Sequence, residues 1–293
     1  MSARAANKTR LEPFTIVSIA GVAVFVLLCA VPFWLIIVGS FTDESKLATD
    51  GYSLWPAPFS LAAYAAIFTG PAVLNAYVAS VFITVVGSTL SLAATSGIAW
   101  VIARRLPYVS RPMTIFAYLP MLFTGGLVPL YLLVTQYLHL QNSYFSVILP
   151  LLVAPFLVFI QVSAFRQLPE AVFDSAKVDG AGELRIFFRI ALPLSKPILA
   201  VVGLFYAVHY WNDWFMALLF ISDVEKYPLP LILQNLISNV SFTQMLPNTS
   251  GTSMPVYQLR LALTAVTIGP ILLAYPFAQR YFVKGITLGA TKG

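Results

Sequence analysis

Six apolar runs, at about 14–40, 73–103, 113–135, 144–165, 198–221 and 257–283, constrain this chain more than any other feature. Crossing ~30 Å of hydrocarbon takes a helix of about 20 mostly apolar residues, and each run reaches that length. In lipid every backbone N–H and C=O must be paired within the segment, so the pattern predicts an all-α integral membrane protein with six transmembrane helices. With 59% hydrophobic and 10% charged residues among 293, counting domains by length no longer applies. The chain reads as a single transmembrane domain over 1–293, with an N-terminal tail 1–13, a polar loop 166–197 and an outer loop 222–256.

Charge sets the orientation. With the N-terminus in the cytoplasm, fourteen of the 17 basic residues, all but Lys46, Lys226 and Arg260, fall on the inside, as positively charged loops should. Both termini and loop 166–197 are then cytoplasmic. The net charge of +6 is spread over short loops rather than gathered in a patch, so it reflects topology and not a nucleic-acid partner. Residues 14–40 are too long for a signal-peptide core and lack a small-residue cleavage site, while Leu28 before Cys29 spoils a lipoprotein box. Cys29 is the single cysteine, which excludes a disulfide framework within one chain; inside an apolar run it reads as a packing residue. His139 and His209 stand apart from other ligand types, so no metal site is expected. No Gly-x-x-x-x-Gly-Lys-[Ser/Thr] loop occurs. The chain should therefore not hydrolyse ATP itself, and no catalytic residues or cofactor of its own are expected.

The charged island Leu168–Pro197 carries the most specific pattern. Pro169, followed by Glu170 and Asp174, suits the positive end of a helix dipole, and Gly180 is a natural stop. Beyond the turn, Leu184, Phe187, Phe188 and Ala191 recur at helical spacing, and Arg185 and Arg189 lie four apart. A second helix with one apolar and one basic side is predicted, ended or kinked by Pro193. Such a helix–turn–helix knob is suited to docking on another protein.

Three other stretches stand out. Gly125-Gly126 and Pro129 in the third run, and Pro150 and Pro155 in the fourth, predict kinks. A short helix is expected near 61–68 of the first outer loop. In the fifth run Tyr210, Trp211, Asn212, Asp213 and Trp214 place polar and aromatic groups in the outer half of a membrane span, where a carboxylate is costly unless it has a role. They are candidates for a sugar path, the competing reading being an interfacial aromatic belt with Asp213 hydrated or paired with Arg260. In loop 222–256, Leu229 to Ile237 predicts a helix along the outer face, with Gln234, Asn235 and Asn239 offered to a polar partner.

The spacing Asp174-Ser175-Ala176, three residues, Gly180, nine residues, Ile190-Ala191-Leu192-Pro193 resembles the EAA loop of permease subunits of ATP-binding-cassette importers. Asp174 and Ser175 depart from the family's Glu and Ala. Val178-Asp179-Gly180-Ala181, Leu192-Pro193-Leu194 and the tail from Tyr281 to Gly293 resemble the carbohydrate branch. The resemblance implies a type I importer permease of the bacterial cytoplasmic membrane. It implies Asp174, Ser175, Ala176, Asp179, Gly180, Leu184, Phe187, Phe188, Leu192 and Pro193 as the coupling surface. The implied partners are a second permease, two ATP-binding subunits that hold the ATP and Mg, and an extracytoplasmic solute-binding protein. An oligosaccharide is the implied cargo, alginate-derived ones among the candidates, moved by ATP-driven alternating access. A stand-alone secondary transporter or channel is the alternative.

Overall fold

In a computed structural model of the chain, residues 13–69, 71–245 and 256–272 are described. They are helical almost throughout, joined by short turns, and fall into two compact units. The first unit, Met1–Ile67 with Pro247–Val266, begins with α1 (Pro13–Ser40), apolar on all sides and with nearly every side chain exposed. An all-round apolar helix of 28 residues is what a lipid-facing span requires. Cys29, expected to pack, is exposed on it, because α1 has few neighbours within its own chain along most of its length.

Asp43 caps α2 (Glu44–Thr49) by accepting the Ser45 N–H. Hydrogen bonds from the Ser45 hydroxyl and backbone hold the Asp43 carboxyl below its usual range. The expected short helix is α3 (Ala62–Thr69). Glu44 takes the backbone N–H groups of Tyr257 and Gln258 on its two oxygens at 3.0 and 2.8 Å. These belong to the first turn of the last described helix (Val256–Leu272), where a carboxylate meets otherwise unpaired donors and the positive dipole end.

The second unit, Phe68–Leu246 with Thr267–Gly293, is built on α4 (Pro71–Ala103), 33 residues without a break and so about 50 Å long. Its buried stripe, Ala76, Ala79, Ser80, Ile83, Gly87, Ser91, Thr95 and Ala99, recurs every three or four residues and is made mostly of small side chains, which lets neighbouring helices come close. After it come α5 (Ser110–Leu122), α6 (Leu127–Tyr137), α7 (Tyr144–Leu151), α8 (Pro155–Arg166), α9 (Glu170–Val178), α10 (Glu183–Leu194), α11 (Lys196–Asn212), α12 (Phe215–Phe220) and α13 (Leu229–Met245); the Val256–Leu272 helix is α14.

Among the described residues only α1, from Phe14, and α4 are single helices long and apolar enough to cross a membrane. The third run breaks between α5 and α6, where Phe123 is extended and Gly126 has φ +85°. The fourth bends by 53° between α7 and α8, because Pro155 forces Ala154 out of the helical region. The fifth run breaks at Asp213, and the sixth is described only as far as Leu272. The kinks expected from glycine and proline are therefore full interruptions.

Two apolar clusters lie along α4. One gathers Trp100 with Phe165 of α8 and Phe173, Ile186, Phe187 and Ala191 of the polar loop. The other gathers Ile83 with Ile148, Leu157, Val202, Tyr206 and Tyr210.

Candidate functional site

The loop after α8 folds as the predicted knob. Helix α9 ends in a turn where Ala181 N–H donates to Ala176 C=O and Gly180 N–H to Lys177 C=O, with Gly180 at φ +78°. This six-to-one, five-to-two pair is the Schellman ending, which needs a left-handed residue. Phe173 turns inward and is buried, while Asp174, Ser175, Asp179 and Gly180 are exposed and Ala176 is half-buried. The Ser175 hydroxyl donates back to Ala171 C=O.

In α10 the expected apolar side is divided. Ile186, Phe187 and Ala191 are buried, but Leu184 is 74% and Phe188 62% exposed. The cause is the neighbouring core: Ile186 and Phe187 pack into the cluster around Trp100 and Phe173, which rotates the buried face by one residue. A π-turn over Phe187–Ala191 follows. Leu192 is half-buried, Pro193 exposed, and the chain bends by 84° into α11. The outward apolar side chains, Val178, Leu184 and Phe188, alternate with exposed Asp174, Asp179, Arg185 and Arg189.

The knob's base is fixed by residues that sequence patterning did not single out. Arg104, at the end of α4, lies over Trp100 at 5.5 Å and Phe173 at 4.9 Å from the ring centroids, and its guanidinium is 3.6 Å from the Glu183 carboxylate. Lys177 reaches the same oxygen at 3.2 Å. Glu183 thus links α9, α10 and α4, and the two rings add cation–π attraction. A basic residue beside a tryptophan at a span end was the available signal.

In the fifth run the structure divides the aromatic patch. Tyr210 and Trp211 are buried, Asn212 is exposed, and Asp213 and Trp214 are half-buried at the break. Trp211 donates its indole N–H to Thr267 C=O at 3.0 Å, and it lines an apolar cavity of about 210 Å³ with Thr84, Val208 and Pro270. Asn212 bonds its own helix at Val208 C=O. Asp213 accepts the Met216 N–H on one oxygen, and the other is buried without a hydrogen-bond partner among the described residues.

Tyr210 and Tyr206 do different work. The Tyr210 hydroxyl meets the Ser91 hydroxyl at 2.8 Å and donates to Ile148 C=O at 3.0 Å. The Tyr206 hydroxyl meets Thr95 at 2.6 Å and accepts the Ala154 N–H at 2.9 Å. One turn apart on α11, they satisfy backbone groups freed where α7 and α8 part, and tie that break to the polar stripe of α4. Freed backbone groups at membrane depth need such partners.

In the loop expected on the outer side, α13 forms over Leu229–Met245, with Leu229 and Leu231 buried and Gln234 and Asn235 half-buried. The Leu229 N–H donates to Ser80 of α4 at 2.8 Å. The Asn239 side chain, residues 246–255 and the tail from Tyr281 to Gly293 lie outside the described residues. Among those described, no group of three or more His, Cys, Asp or Glu could hold a metal.

A bundle of long and broken apolar helices with a helix–glycine turn–helix knob anchored to its longest member is the build of a transporter's membrane subunit. The chain belongs to the family of binding-protein-dependent transport system inner membrane components, which it matches over residues 91–288. It is 40% identical to protein LplC of Bacillus subtilis over 89% of each chain. It is 37% identical to the polygalacturonan/rhamnogalacturonan transport system permease protein YtcP of the same organism, over 92% of this chain and 94% of that one. Its fold matches a chain of a bacterial ABC transporter involved in the import of the acidic polysaccharide alginate, with a TM-score of 0.80, 24% identity and coverage of 92% and 96%. The importer permease fold and family inferred from loop 166–197 are therefore established, and the stand-alone transporter finds no support.

Proposed function

We propose that this permease carries an oligosaccharide, a uronate-containing one first among candidates, and that its knob transmits the work of ATP hydrolysis done on separate subunits. The cargo follows from the names of its relatives, polygalacturonan/rhamnogalacturonan for one and alginate for the fold neighbour. The chain itself has no catalytic role in this reading. Two ATP-binding subunits hold ATP and Mg, a second permease completes the pathway, and an extracytoplasmic binding protein delivers the sugar. Both termini face the cytoplasm, in keeping with the distribution of basic residues.

The observation that carries the coupling role is the trio Val178, Leu184 and Phe188, exposed on a base locked by Glu183. Apolar side chains left out in a polar loop mark a surface for a partner, and the charges between them set register. Asp174, Ser175, Ala176, Asp179, Gly180, Leu192 and Pro193 complete that surface or its turn. ATP-driven closure of the ATPase pair would move the knob and switch the pathway between inward- and outward-facing states. Along that pathway we place Asn212 and Asp213, bordered by Trp211 and Trp214, with Tyr210 supporting them from the packed side. Gln234, Asn235 and Asn239 are proposed to face the binding protein.

Replacing Leu184 and Phe188 together with Asp should leave insertion intact and abolish co-purification with the ATPase. Unchanged co-purification would refute the docking surface. For the cargo, reconstituted importer should take up oligogalacturonides or alginate oligosaccharides only with ATP and binding protein. Uptake restricted to neutral sugars would refute the uronate assignment.

A further inference from the structure

A cavity of about 300 Å³ opens where α4 and α8 end, lined by Arg104, Arg105, Phe165, Arg166, Glu170 and Phe173 among others. Three arginines and one glutamate are among its lining residues. Arg104 is engaged by Glu183 and two rings, yet its Nε is buried without a hydrogen-bond partner among the described residues. Arg105 and Arg166 make no ion pair among the described residues and are exposed.

The backbone at Arg105 is the second observation. Helix α4 ends with Leu106 N–H on Val101 C=O and Arg105 N–H on Ile102 C=O, the same turn that closes α9. There the left-handed position is filled by Gly180; here it is filled by Arg105, at φ +50°. Glycine is the residue that this turn favours, and another side chain in it costs free energy. An arginine at such a position points to a use for its guanidinium beyond the turn.

We propose that this cavity binds the headgroup of an anionic glycerophospholipid, the Arg104, Arg105 and Arg166 guanidiniums taking the phosphodiester and Glu170 accepting a hydroxyl of a phosphoglycerol group. The inference goes beyond transport and rests only on the chain spanning a membrane. Two features favour lipid over a soluble anion. The cavity sits at the polar ends of two apolar helices, where headgroups lie, and planar guanidiniums suit bidentate contact with phosphate. It is also distinct from the docking face, because Phe173 and Glu170 line it while Val178, Leu184 and Phe188 do not.

The test uses the full-length chain in detergent, offered equal amounts of phosphatidylglycerol and phosphatidylcholine, with retained lipid counted by native mass spectrometry. Wild type should retain phosphatidylglycerol preferentially, and Arg105→Gly and Arg166→Gln should each lower that preference about fivefold, the scale of one basic residue near an anionic surface. Arg105→Gly should melt no lower than wild type, since glycine suits the turn, so lost binding cannot be ascribed to unfolding. Equal retention of both lipids by wild type, or an undiminished preference in the double variant Arg105→Gly/Arg166→Gln, would overturn the proposal. Displacement of phosphatidylglycerol by inorganic phosphate alone would reassign the site to a free anion. A double variant that keeps its lipid preference but no longer co-purifies with the ATPase would make the cavity part of the docking surface, and the lipid assignment would fall.

Discussion

Gly180 holds φ at +78°, and a Cβ there would meet nothing within 4 Å, so backbone conformation rather than space requires glycine. Gly180→Val should uncouple ATP hydrolysis from transport, because a β-branched residue resists φ > 0. Gly180→Asn, tolerant of that region, should retain most coupling. Parallel assays of uptake and hydrolysis check both, and equal behaviour of the two variants would refute the turn argument. Tyr206→Phe removes the acceptor for the half-buried Ala154 N–H, and should cost about 1–3 kcal/mol by leaving that donor unpaired. Thermal unfolding in detergent measures it. Gly87→Ala is expected to harm the same region, since its Cβ would stand 2.9 Å from the Tyr210 ring. Gly180 was legible from its place in a spaced pattern. Tyr206 was not, because its bonds reach 52 and 111 residues along the chain, and a tyrosine in an apolar run looks like any other packing residue.

At the scale of elements, α9, α10 and α4 behave as one body because Glu183 joins them. Arg104→Ala should leave Glu183 with Lys177 alone and remove two ring contacts, freeing the knob from α4. ATP hydrolysis should then persist in the assembled importer while uptake falls, and the ratio of sugar moved to ATP consumed reports it; an unchanged ratio would remove Arg104 from the linkage. The break at Asp213 allows a second measurement in a Cys29→Ala background. Cysteine at Asn212 should react with small aqueous thiol reagents and cysteine at Tyr210 should not, in keeping with their exposure; the reverse order would exclude this break from a water-filled path. Periodicity located the knob helices and set Leu184, Phe187 and Phe188 on one apolar side, but it did not separate buried Phe187 from exposed Leu184 and Phe188, because helical spacing gives the width of an apolar stripe and not which part of it meets protein. The breaks were foreshadowed by Pro155 and Gly126, whereas the one at Asp213 has no glycine or proline to announce it.

For the whole molecule, helix α13 and the knob belong to the same unit. Replacing Gln234 and Asn235 with Ala should weaken binding-protein-stimulated ATP hydrolysis while basal hydrolysis and assembly stay intact; stimulation at the parental level would leave α13 a cover for the bundle. Between these regions runs α4, bonded through Ser80 to the first residue of α13 and through Arg104 to Glu183 of the knob. No proline interrupts it after its first residue. A rod of that kind is a lever. If it rocks by about 5° about its middle, its two ends, about 25 Å away on either side, travel about 2 Å in opposite directions. Ser80, about 10 Å from that middle, moves about 1 Å with the same rocking, enough to strain its hydrogen bond to α13, so a push on the knob can be felt at α13 without any messenger other than the stiffness of one helix.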